Sequence, residues 1–277
     1  MFITKVDPQS VEDITHSVVV IGLGMVTEQW ELPFHTHGKA ELLFADTGLI
    51  TVETKDHLWV VPPQGAVWIP GGVEHRAKCS GSPRGFVVFV EPGIVEGLPE
   101  KCSTISVSSF LRALLERTAV LPLDDKHEGS AARLIAVLLD EIISAPLELF
   151  NLPMPSDMRL REMVDAMFAS PSERVTLEQW AGRINMSERN MSRLFTLETG
   201  LSINRWRRQM HVVKALPLLE QGESIQNIAE TLGYESSGSF VTMFRKVTGT
   251  PPKRFITDRM ANVHTPLNVP EAGFYEY

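Results

Sequence analysis

Two histidines and a glutamate in the first third of the chain have the residue types and spacing of a metal site. If His35, His37 and Glu41 belong to one extended strand, they share a face, because side chains alternate between faces with a period of two. Two imidazoles and a carboxylate can then point together into the interior of a β-barrel. A third histidine, His75, follows a strand-like run and a Pro-Gly turn.

The order of these residues resembles the two motifs of the cupin fold. A His-x-His pair is followed four residues later by a glutamate, and a Pro-x-Gly-x-x-His segment comes later. Gly65 stands one residue closer to that second motif than usual, and Cys79 occupies the usual position of an asparagine, but neither departure removes a ligand. The resemblance implies a full ligand set of His35, His37, Glu41 and His75. Three imidazoles and one carboxylate suit zinc, iron, nickel or manganese.

A second interpretation of the same residues is a pocket without metal that holds an organic effector. An acid and three histidines facing one another in a barrel are costly to bury unless something compensates them, which favours a metal. Trp59, Trp68, Phe34 and Phe44 could stack on a small ligand in the same barrel. Aromatic residues in such strands more often belong to the core, and we expect core here.

The pattern around these residues predicts an α+β chain of two domains. Short β-like runs separated by Gly and Pro, among them 41–44 and 49–52 as separate strands, occupy residues 1–102 and indicate an antiparallel sandwich or barrel, here a cupin-type sensor. From Ser103 the apolar period changes to 3.6, which predicts helices over residues 103–150. Their seam contains Leu111, Leu115, Leu134, Leu138 and Ile142. It can pack against its own barrel or, as we expect by a family resemblance described below, pair with a second subunit.

A repeat dominates the second half of the chain. Leu177 and Ile225 match at an offset of 48 residues, whereas Phe195 and Phe244 match at 49, so the second copy has gained one residue in its turn. Each copy has good N-cap residues and two apolar-periodic runs, which predict helix, turn and helix. Two such copies indicate a double helix-turn-helix, whose second helices can lie in the major groove of DNA.

This repeat resembles the DNA-binding domain of the AraC/XylS family of transcription regulators. The run from Ile228 through Gly233, Phe240 and Phe244 to Pro252 is close to the family signature. The resemblance covers about a hundred residues and implies that the second helix of each copy faces DNA. The DNA-facing positions are then Arg189, Ser192, Arg193, Ser237, Ser239, Thr242, Arg245 and Lys246. We expect Arg245 and Lys246 to contact phosphates, and the second helix to read less sequence than the first, because Gly238 has no side chain.

Between the two copies, residues 203–219 predict a linker helix that carries Arg205, Arg207 and Arg208 as phosphate contacts or as a solvated face. Pro217 should kink this helix or end it near Leu216. The predicted boundaries are 1–102 for the sensor barrel, 103–150 for the helical dimerisation segment, 151–156 for a linker, 157–260 for the DNA-binding domain and 261–277 for a tail.

Charge divides the chain in the same way. The net charge is −8, but residues 157–260 contain 15 Lys and Arg against 12 Asp and Glu, so this part is basic and the remainder acidic. A net charge of +3 is small for a DNA-binding domain, and a homodimer would double its field. Two cysteines make no disulfide framework, and neither a signal peptide nor a membrane-spanning run is recognisable. We therefore expect a cytoplasmic protein.

These patterns predict a transcription regulator that binds promoter DNA as a homodimer. Its barrel would sense a metal ion or small molecule and change promoter occupancy or contact with RNA polymerase. The alternative from another class is a cupin metalloenzyme, such as a dioxygenase or isomerase, fused to a DNA-binding module. No acid–base pair separate from the four ligands indicates turnover, and we predict no catalytic residues.

Overall fold

The computed structural model of the chain describes residues 2–3, 16–24, 29–122, 128–148 and 151–260. Two compact units form. Unit 1 comprises residues 1–54, 59–149 and 259–277, and unit 2 comprises residues 55–58 and 150–258. The N-terminal region is rich in β-sheet and the C-terminal region is helical, as predicted. The predicted tail, residues 261–277, lies outside the described residues.

Most described strands of the N-terminal region join one sheet. They are β1 (Phe2–Ile3), β2 (Val18–Gly24), β3 (Gln29–His35), β4 (Ala40–Thr54), β5 (His57–Val61), β6 (Gly65–Ile69), β7 (His75–Val90), β8 (Ser103–Ser106) and β9 (Leu147–Glu148). Their order is β1-β2-β7-β4-β6-β8-β9, with β3 beside β7 and β5 beside β4. No pairing among the described strands joins β1 to β9, so the closed barrel of the prediction is not confirmed.

Strands β4 and β7 form the longest ladder of the sheet. Ala40 pairs with Val90 at one end, and Thr54 pairs with His75 at the other. The register shifts on either side of Thr47, next to Gly48 with a φ of +76°. Bulges bend a strand pair, and glycine adopts a left-handed conformation without a steric penalty. The ladder therefore bends strongly at its middle.

Both faces of the sheet are buried. One face carries Leu42 and packs against Leu111 and other apolar residues of α1 (Ser109–Thr118) and α2 (Ser130–Ser144). The other face carries Leu43 and forms a second apolar core within the bent sheet. Full burial of one such leucine contributes about 1.5–3 kcal/mol. Two-sided burial explains the nearly continuous apolar runs in these strands.

The helical seam of the prediction is used inside the chain. Leu111, Leu115, Leu138 and Ile142 are at most 1% exposed and join the core between the helices and the sheet, and Leu134 packs against it. This arrangement is the first of the two alternatives from the sequence. The seam itself is not available as a subunit interface, and a homodimer would have to use other residues.

Local predictions differ from the structure at three places. Residues 41–44 and 49–52, predicted as separate strands, belong to the single strand β4, because the chain passes Gly48 through a bulge. Residues 103–106, predicted to begin the helical segment, form β8 and pair with β6. His35, His37 and Glu41 do not share one strand, because β3 ends at His35 and β4 begins at Ala40.

A buried ion pair joins the sheet to α1. Arg112 Nε lies 3.0 Å from Oδ1 of Asp46, and both residues are at most 5% exposed. Gln64 also donates a hydrogen bond to Asp46, at 3.0 Å, and Glu116 lies 3.3 Å from Arg112. Buried charges of this kind are tolerated only when they are paired and hydrogen-bonded.

Unit 2 consists of the short strand β10 and seven helices among its described residues. They are β10 (Asn151–Pro153), α3 (Met158–Ala169), α4 (Leu177–Arg183), α5 (Glu188–Thr199), α6 (Ile203–Glu220), α7 (Ile225–Thr231), α8 (Ser237–Thr248) and α9 (Pro252–Met260). β10 lies within the predicted linker. Helix α6 continues three residues beyond Pro217, which agrees with the predicted range of 203–219 and excludes an end near Leu216, one of the two predicted effects of Pro217. Among the described helices, none has both the length and the apolar character that a membrane span requires.

Caps and turns repeat between the two helix-turn-helix motifs, α4–α5 and α7–α8. Thr176 and Gln179 form a capping box at the start of α4. Ser187 and Ser236 cap the second helices, 49 residues apart, which confirms the extra residue in the second turn. The first turn uses a left-handed Asn185, with φ +54°, where the second has Gly233, with φ +76°. The two motifs are therefore one supersecondary unit used twice.

Candidate functional site

The bent sheet brings the four predicted ligands together. His35 is the last residue of β3, His37 lies in the connection to β4, Glu41 is the second residue of β4, and His75 begins β7. The ligand atoms of the three imidazoles all lie within 4.8 Å of one another. His37, Glu41 and His75 are between 1% and 6% exposed, and His35 is half-buried. One side of the cluster is therefore more open than the others.

Each imidazole is held by a carbonyl of its own chain segment. Nδ1 of His35 donates to the carbonyl of Pro33 at 2.8 Å, and Nδ1 of His75 donates to that of Val73 at 2.8 Å. Nδ1 of His37 donates in the same way to the carbonyl of Lys39, at 2.7 Å. A carbonyl oxygen only accepts, so the proton must reside on Nδ1. Such bonds orient metal-binding histidines and leave Nε2 to the metal.

Glu41 lies between two of these Nε2 atoms. Its Oε2 is 3.3 Å from Nε2 of His37 and 3.1 Å from Nε2 of His75. Burial works to raise the pKa of Glu41, but hydrogen bonds from the two histidines outweigh it and hold the pKa at about 2. Burial also lowers the pKa of His35. The carboxylate is thus ionised in the interior of unit 1.

The contacts of Glu41 with the two Nε2 atoms are favourable only with a proton or a metal ion between the atoms. With Nδ1 protonated, an imidazole donates a hydrogen bond to Glu41 only if Nε2 carries a proton as well, whereas a neutral imidazole would present an Nε2 lone pair to the ionised oxygen. Two acceptors at about 3 Å repel unless a proton or a metal ion lies between them. Three imidazoles and a carboxylate are a donor set that fits a divalent transition metal.

The aromatic residues considered as ligand-stacking groups divide between the two faces of the sheet. Trp59 belongs to the core on the same face as Phe89, which contacts the ring of His37. Trp68 and Phe44 belong to the core under the helices, away from the histidines. These three are core residues, as expected. Phe34 instead is 45% exposed, with the guanidinium of Arg76 5.1 Å from the centre of its ring.

The first candidate recognition helix, α5, presents a polar face. Arg189 and Arg193 are exposed, and Ser192 is half-buried on the same side of the helix. The guanidinium of Arg193 donates to Oδ1 of Asn190 at 3.2 Å. Met191 and Phe195 on the opposite side are fully buried. Unit 2 therefore holds α5 by its apolar side and leaves the arginines accessible.

The second candidate recognition helix, α8, borders a basic concavity of about 690 Å³. Ser239, Thr242 and Lys246 line it from α8, and Arg208 lines it from α6. Ser237 and Arg245 are exposed but lie outside this lining. The sequence left Arg208 among three linker-helix arginines that are either phosphate contacts or a solvated face, outside the recognition helices. The sequence signal for Arg208 was the run of Arg205, Arg207 and Arg208 in the linker helix. Only the packing of α6 shows which of these arginines lies beside α8.

Helix α8 presents shorter side chains than α5 at the corresponding positions. At the offset of 49 residues, Gly238 corresponds to Arg189 and Thr242 corresponds to Arg193. The Thr242 hydroxyl already donates to the carbonyl of Gly238, at 2.9 Å. That the first helix carries more of the sequence readout stays a prediction.

Comparison with known proteins identifies relatives for most of the chain. Residues 180–258 match a family described as a helix-turn-helix domain. The HTH-type transcriptional regulator NimR of Escherichia coli K12 is 41% identical over 230 residues, which cover 83% of this chain and 84% of NimR. The HTH-type transcriptional regulator RipA of Corynebacterium glutamicum is 29% identical over 120 residues, 43% of this chain and 36% of RipA.

Solved structures give weaker overall similarity. The DNA-binding domain of AdpA in complex with a target DNA has a TM-score of 0.34 and 28% identity, and covers 36% of this chain and 91% of that domain. ToxT from Vibrio cholerae has a TM-score of 0.37 and 11% identity, and covers 87% of this chain and 94% of ToxT.

The match to NimR is too long to be confined to unit 2, so it includes much of unit 1. The alternative of a metalloenzyme has no support among these relatives, which are regulators. Together with the duplicated helix-turn-helix, they assign the chain to a family: it belongs to the AraC family of HTH-type transcriptional regulators and is a DNA-binding regulator rather than an enzyme.

Proposed function

We propose that unit 1 is a cupin-type sensor that binds a divalent transition metal through His35, His37, Glu41 and His75. Metal occupancy would then change how unit 2 occupies its promoter or contacts RNA polymerase. The observation that carries the proposal is the orientation of the three imidazoles, whose Nδ1 atoms all donate to backbone carbonyls and whose ligand atoms lie within 4.8 Å of one another.

The charge of the cluster supports a metal over an organic ligand. Glu41 is ionised and faces two imidazole nitrogens at about 3 Å. A divalent cation among these atoms would relieve their repulsion and compensate the buried carboxylate. Zinc, iron, nickel and manganese all accept three nitrogens and one oxygen, and ligand type alone does not choose among them.

A path for the signal within unit 1 begins on β4. This strand carries Glu41 in the cluster and, five residues later, Asp46 in the buried pair with Arg112. Buried ion pairs tolerate little change in geometry. A shift of β4 on metal binding would therefore move α1 through the pair of Asp46 and Arg112. Allosteric control then requires that the metal bind more tightly to one state of the regulator than to another.

In unit 2 we assign DNA contacts to two exposed faces. On α5 these are Arg189, Ser192 and Arg193, with an arginine bidentate to a guanine in the major groove. On α8 and its border we assign phosphate contacts to Arg245, Lys246 and Arg208, and shorter polar contacts to Ser237, Ser239 and Thr242. The basic concavity shared by α6 and α8 supports the phosphate assignment.

We also propose a homodimer, which would double the number of DNA-binding faces. The apolar seam of α1 and α2 is buried against the sheet in unit 1. The dimer interface would therefore have to use residues on the outer faces of these helices. Phe110 on α1 and Val137 on α2 are 53% and 40% exposed. Sedimentation equilibrium of the full chain and of Phe110→Ser would test this, and an unchanged monomer mass for both would refute it.

The test of sensing starts from protein purified without a histidine tag. Elemental analysis should find close to one transition metal per chain, and chelation should remove it. DNA affinity of loaded and stripped protein is then compared on duplexes selected by the full chain from random sequences. A difference in affinity or in transcription supports the sensor. Metal-free protein that binds none of the four ions would refute the metal site.

A further inference from the structure

A short segment of unit 2 contacts both helix-turn-helix motifs. We name residues 170–174, Ser-Pro-Ser-Glu-Arg, the bridge segment. It leads from α3 into α4, and so belongs by chain connection to the first motif. Its other contacts are with the turn of the second motif and with the linker helix α6, which lie about 30 to 65 residues further along the chain.

The tightest of these contacts is backbone against backbone. A Cβ atom built on Gly233 would lie 2.7 Å from both Cα and the carbonyl oxygen of Ser172. Real side chains do not approach backbone so closely, so only glycine fits here. Gly233 is therefore required twice, for the left-handed turn of the second motif, at φ +76°, and for the approach of the bridge segment.

Polar bonds surround this contact. The guanidinium of Arg174 donates to the carbonyl of Gly233 at 3.1 Å and to the carboxylate of Glu235 at 2.8 Å. From α6, Arg207 donates to the carbonyl of Glu173 at 2.6 Å. The carboxylate of Glu173 in turn accepts from Arg183 of α4, at 2.7 Å. The bridge segment is thus bonded to the first motif, the linker helix and the second turn.

These contacts differ in weight. Arg174 and Glu235 have side chains that are 61% and 78% exposed, and ion pairs in solvent contribute little by themselves. The fit between Gly233 and Ser172 excludes even one methyl group, so it constrains the position of the second motif more strongly. Along the chain, α6 connects the two motifs, and Gly200 before it and Gly222 after it both have left-handed φ angles.

We infer that the bridge segment sets the angle between the two recognition helices, so that the regulator accepts one spacing of its two DNA contacts and rejects others. Preorganisation of this kind removes the cost of orienting the second motif once the first has bound. Ser172, Arg174 and Gly233 are then positioning residues for sequence selection, although none needs to touch DNA. The inference rests on the proposed role of α5 and α8 as recognition helices.

The test compares Gly233→Ala with Gly222→Ala. Both glycines have nearly the same left-handed φ, +76° and +78°, but a Cβ on Gly222 meets nothing within 4 Å. Backbone strain is therefore matched, and only Gly233→Ala forces the bridge segment away. Arg174→Ala serves as a milder third variant, which removes two bonds from an exposed side chain and should leave the motif folded even if Gly233→Ala does not.

Each full-length protein is titrated against three duplexes. The first is a site selected from random DNA by the wild type, with the two contacted segments located by footprinting. In the second, one base pair is inserted between the segments, which rotates them by about 35°. In the third, the segment contacted by α8 is scrambled. The readout is the ratio of Kd on the inserted duplex to Kd on the selected one.

For the wild type and Gly222→Ala we expect insertion to raise Kd by about a hundredfold. For Gly233→Ala the selected site should bind about tenfold more weakly, while insertion costs no more than about threefold. Arg174→Ala should fall between them. Loss of one positive charge weakens binding to all duplexes alike, so the ratio reports geometry rather than charge.

Three outcomes would overturn the inference. In the first, Gly233→Ala and Arg174→Ala both keep the wild-type ratio of Kd values. In the second, Gly222→Ala lowers this ratio as much as Gly233→Ala does, and in the third, insertion does not raise the Kd of the wild type. If Gly233→Ala fails to fold by circular dichroism, Arg174→Ala decides. The scrambled duplex tests the proposed DNA contacts of α8 separately from the role of the bridge segment. No loss on scrambling would show that α8 does not read sequence, whatever the insertion does.

Discussion

Glu41 Oε2 lies 3.1 Å from Nε2 of His75, although the two residues belong to opposite ends of one β-ladder. His75 pairs with Thr54, thirteen positions along β4 from Glu41, a separation of about 43 Å in a flat strand. The contact exists only because the β4–β7 ladder bends back at its bulges. Assembly of the candidate metal site and bending of the sheet are therefore one event.

Metal binding should stabilise the bent sheet, because a ligand that binds only the folded state stabilises it by mass action. We predict that zinc or nickel raises the unfolding temperature of the wild type and of Glu74→Gln, whose exposed carboxylate adjoins His75. His75→Ala and Glu41→Gln should show no such rise. Differential scanning fluorimetry with and without metal measures this, and equal rises in all four proteins would contradict it.

Arg193 on α5 should contribute to sequence preference. Arg193→Ala is expected to weaken binding to a selected site by about 1–3 kcal/mol, the value of a bidentate arginine–guanine contact. Binding to unrelated DNA should change much less. Fluorescence anisotropy at one salt concentration compares the two duplexes. An equal loss on both would instead identify Arg193 as a backbone contact.

Arg208 on α6 should act through phosphate. Arg208→Ala is expected to weaken binding about equally on all sequences and to reduce the slope of log K against log salt by about 1. Arg159 on α3, whose guanidinium is paired with Asp157 at 2.7 Å, supplies the control substitution. Titrations at several salt concentrations give the slopes. An unchanged slope for Arg208→Ala would exclude the contact.

The buried pair of Asp46 and Arg112 should matter for stability. Arg112→Met leaves the carboxylate of Asp46 buried with Gln64 as a partner, and breaking such pairs costs about 3–5 kcal/mol. Arg254→Ala, which breaks the exposed pair with Asp258, should change the free energy of unfolding by less than about 1 kcal/mol. Urea denaturation compares them, and similar losses would contradict the prediction.

His211 on α6 should make the stability of unit 2 depend on pH. Burial, aided by the charge of Arg207, lowers the pKa of His211 to about 4, and its Nδ1 lies 2.8 Å from the hydroxyl of Tyr234. The unfolded state binds the proton near pH 6.5, so stability is complete above that pH and falls as pH decreases towards 4. We expect a loss of about 2 kcal/mol between pH 7 and pH 5 from this group.

His211→Gln keeps a side-chain acceptor for Tyr234 but does not titrate. Its free energy of unfolding should therefore fall less steeply than that of the wild type over the same pH range. Denaturant titrations at pH 5, 6 and 7 give both profiles. Parallel profiles would show that the protonation of His211 is not linked to folding.

Much of unit 2 was predictable because its information is local. The capping box of Thr176 and the caps at Ser187 and Ser236 act within one helical turn, and the spacing of the apolar residues reports the helix period directly. The duplication added a second independent copy of the same signals. The linker helix was predicted over residues 203–219, and α6 spans Ile203–Glu220, so Pro217 does not end it, because tertiary packing of the residues around it outweighs the local preference of proline.

The sequence by itself determined which residues are available for chemistry: His35, His37, Glu41 and His75, the arginines of α5, and the glycine that the second turn requires. Only the tertiary structure decided which of them meet. Glu41 reaches His75 through long-range strand pairing and a bend, Arg208 joins α8 through the packing of α6, and Gly233 meets Ser172 across two motifs. Local sequence patterns do not determine such distances, because many different arrangements of the same strands and helices would have the same local patterns.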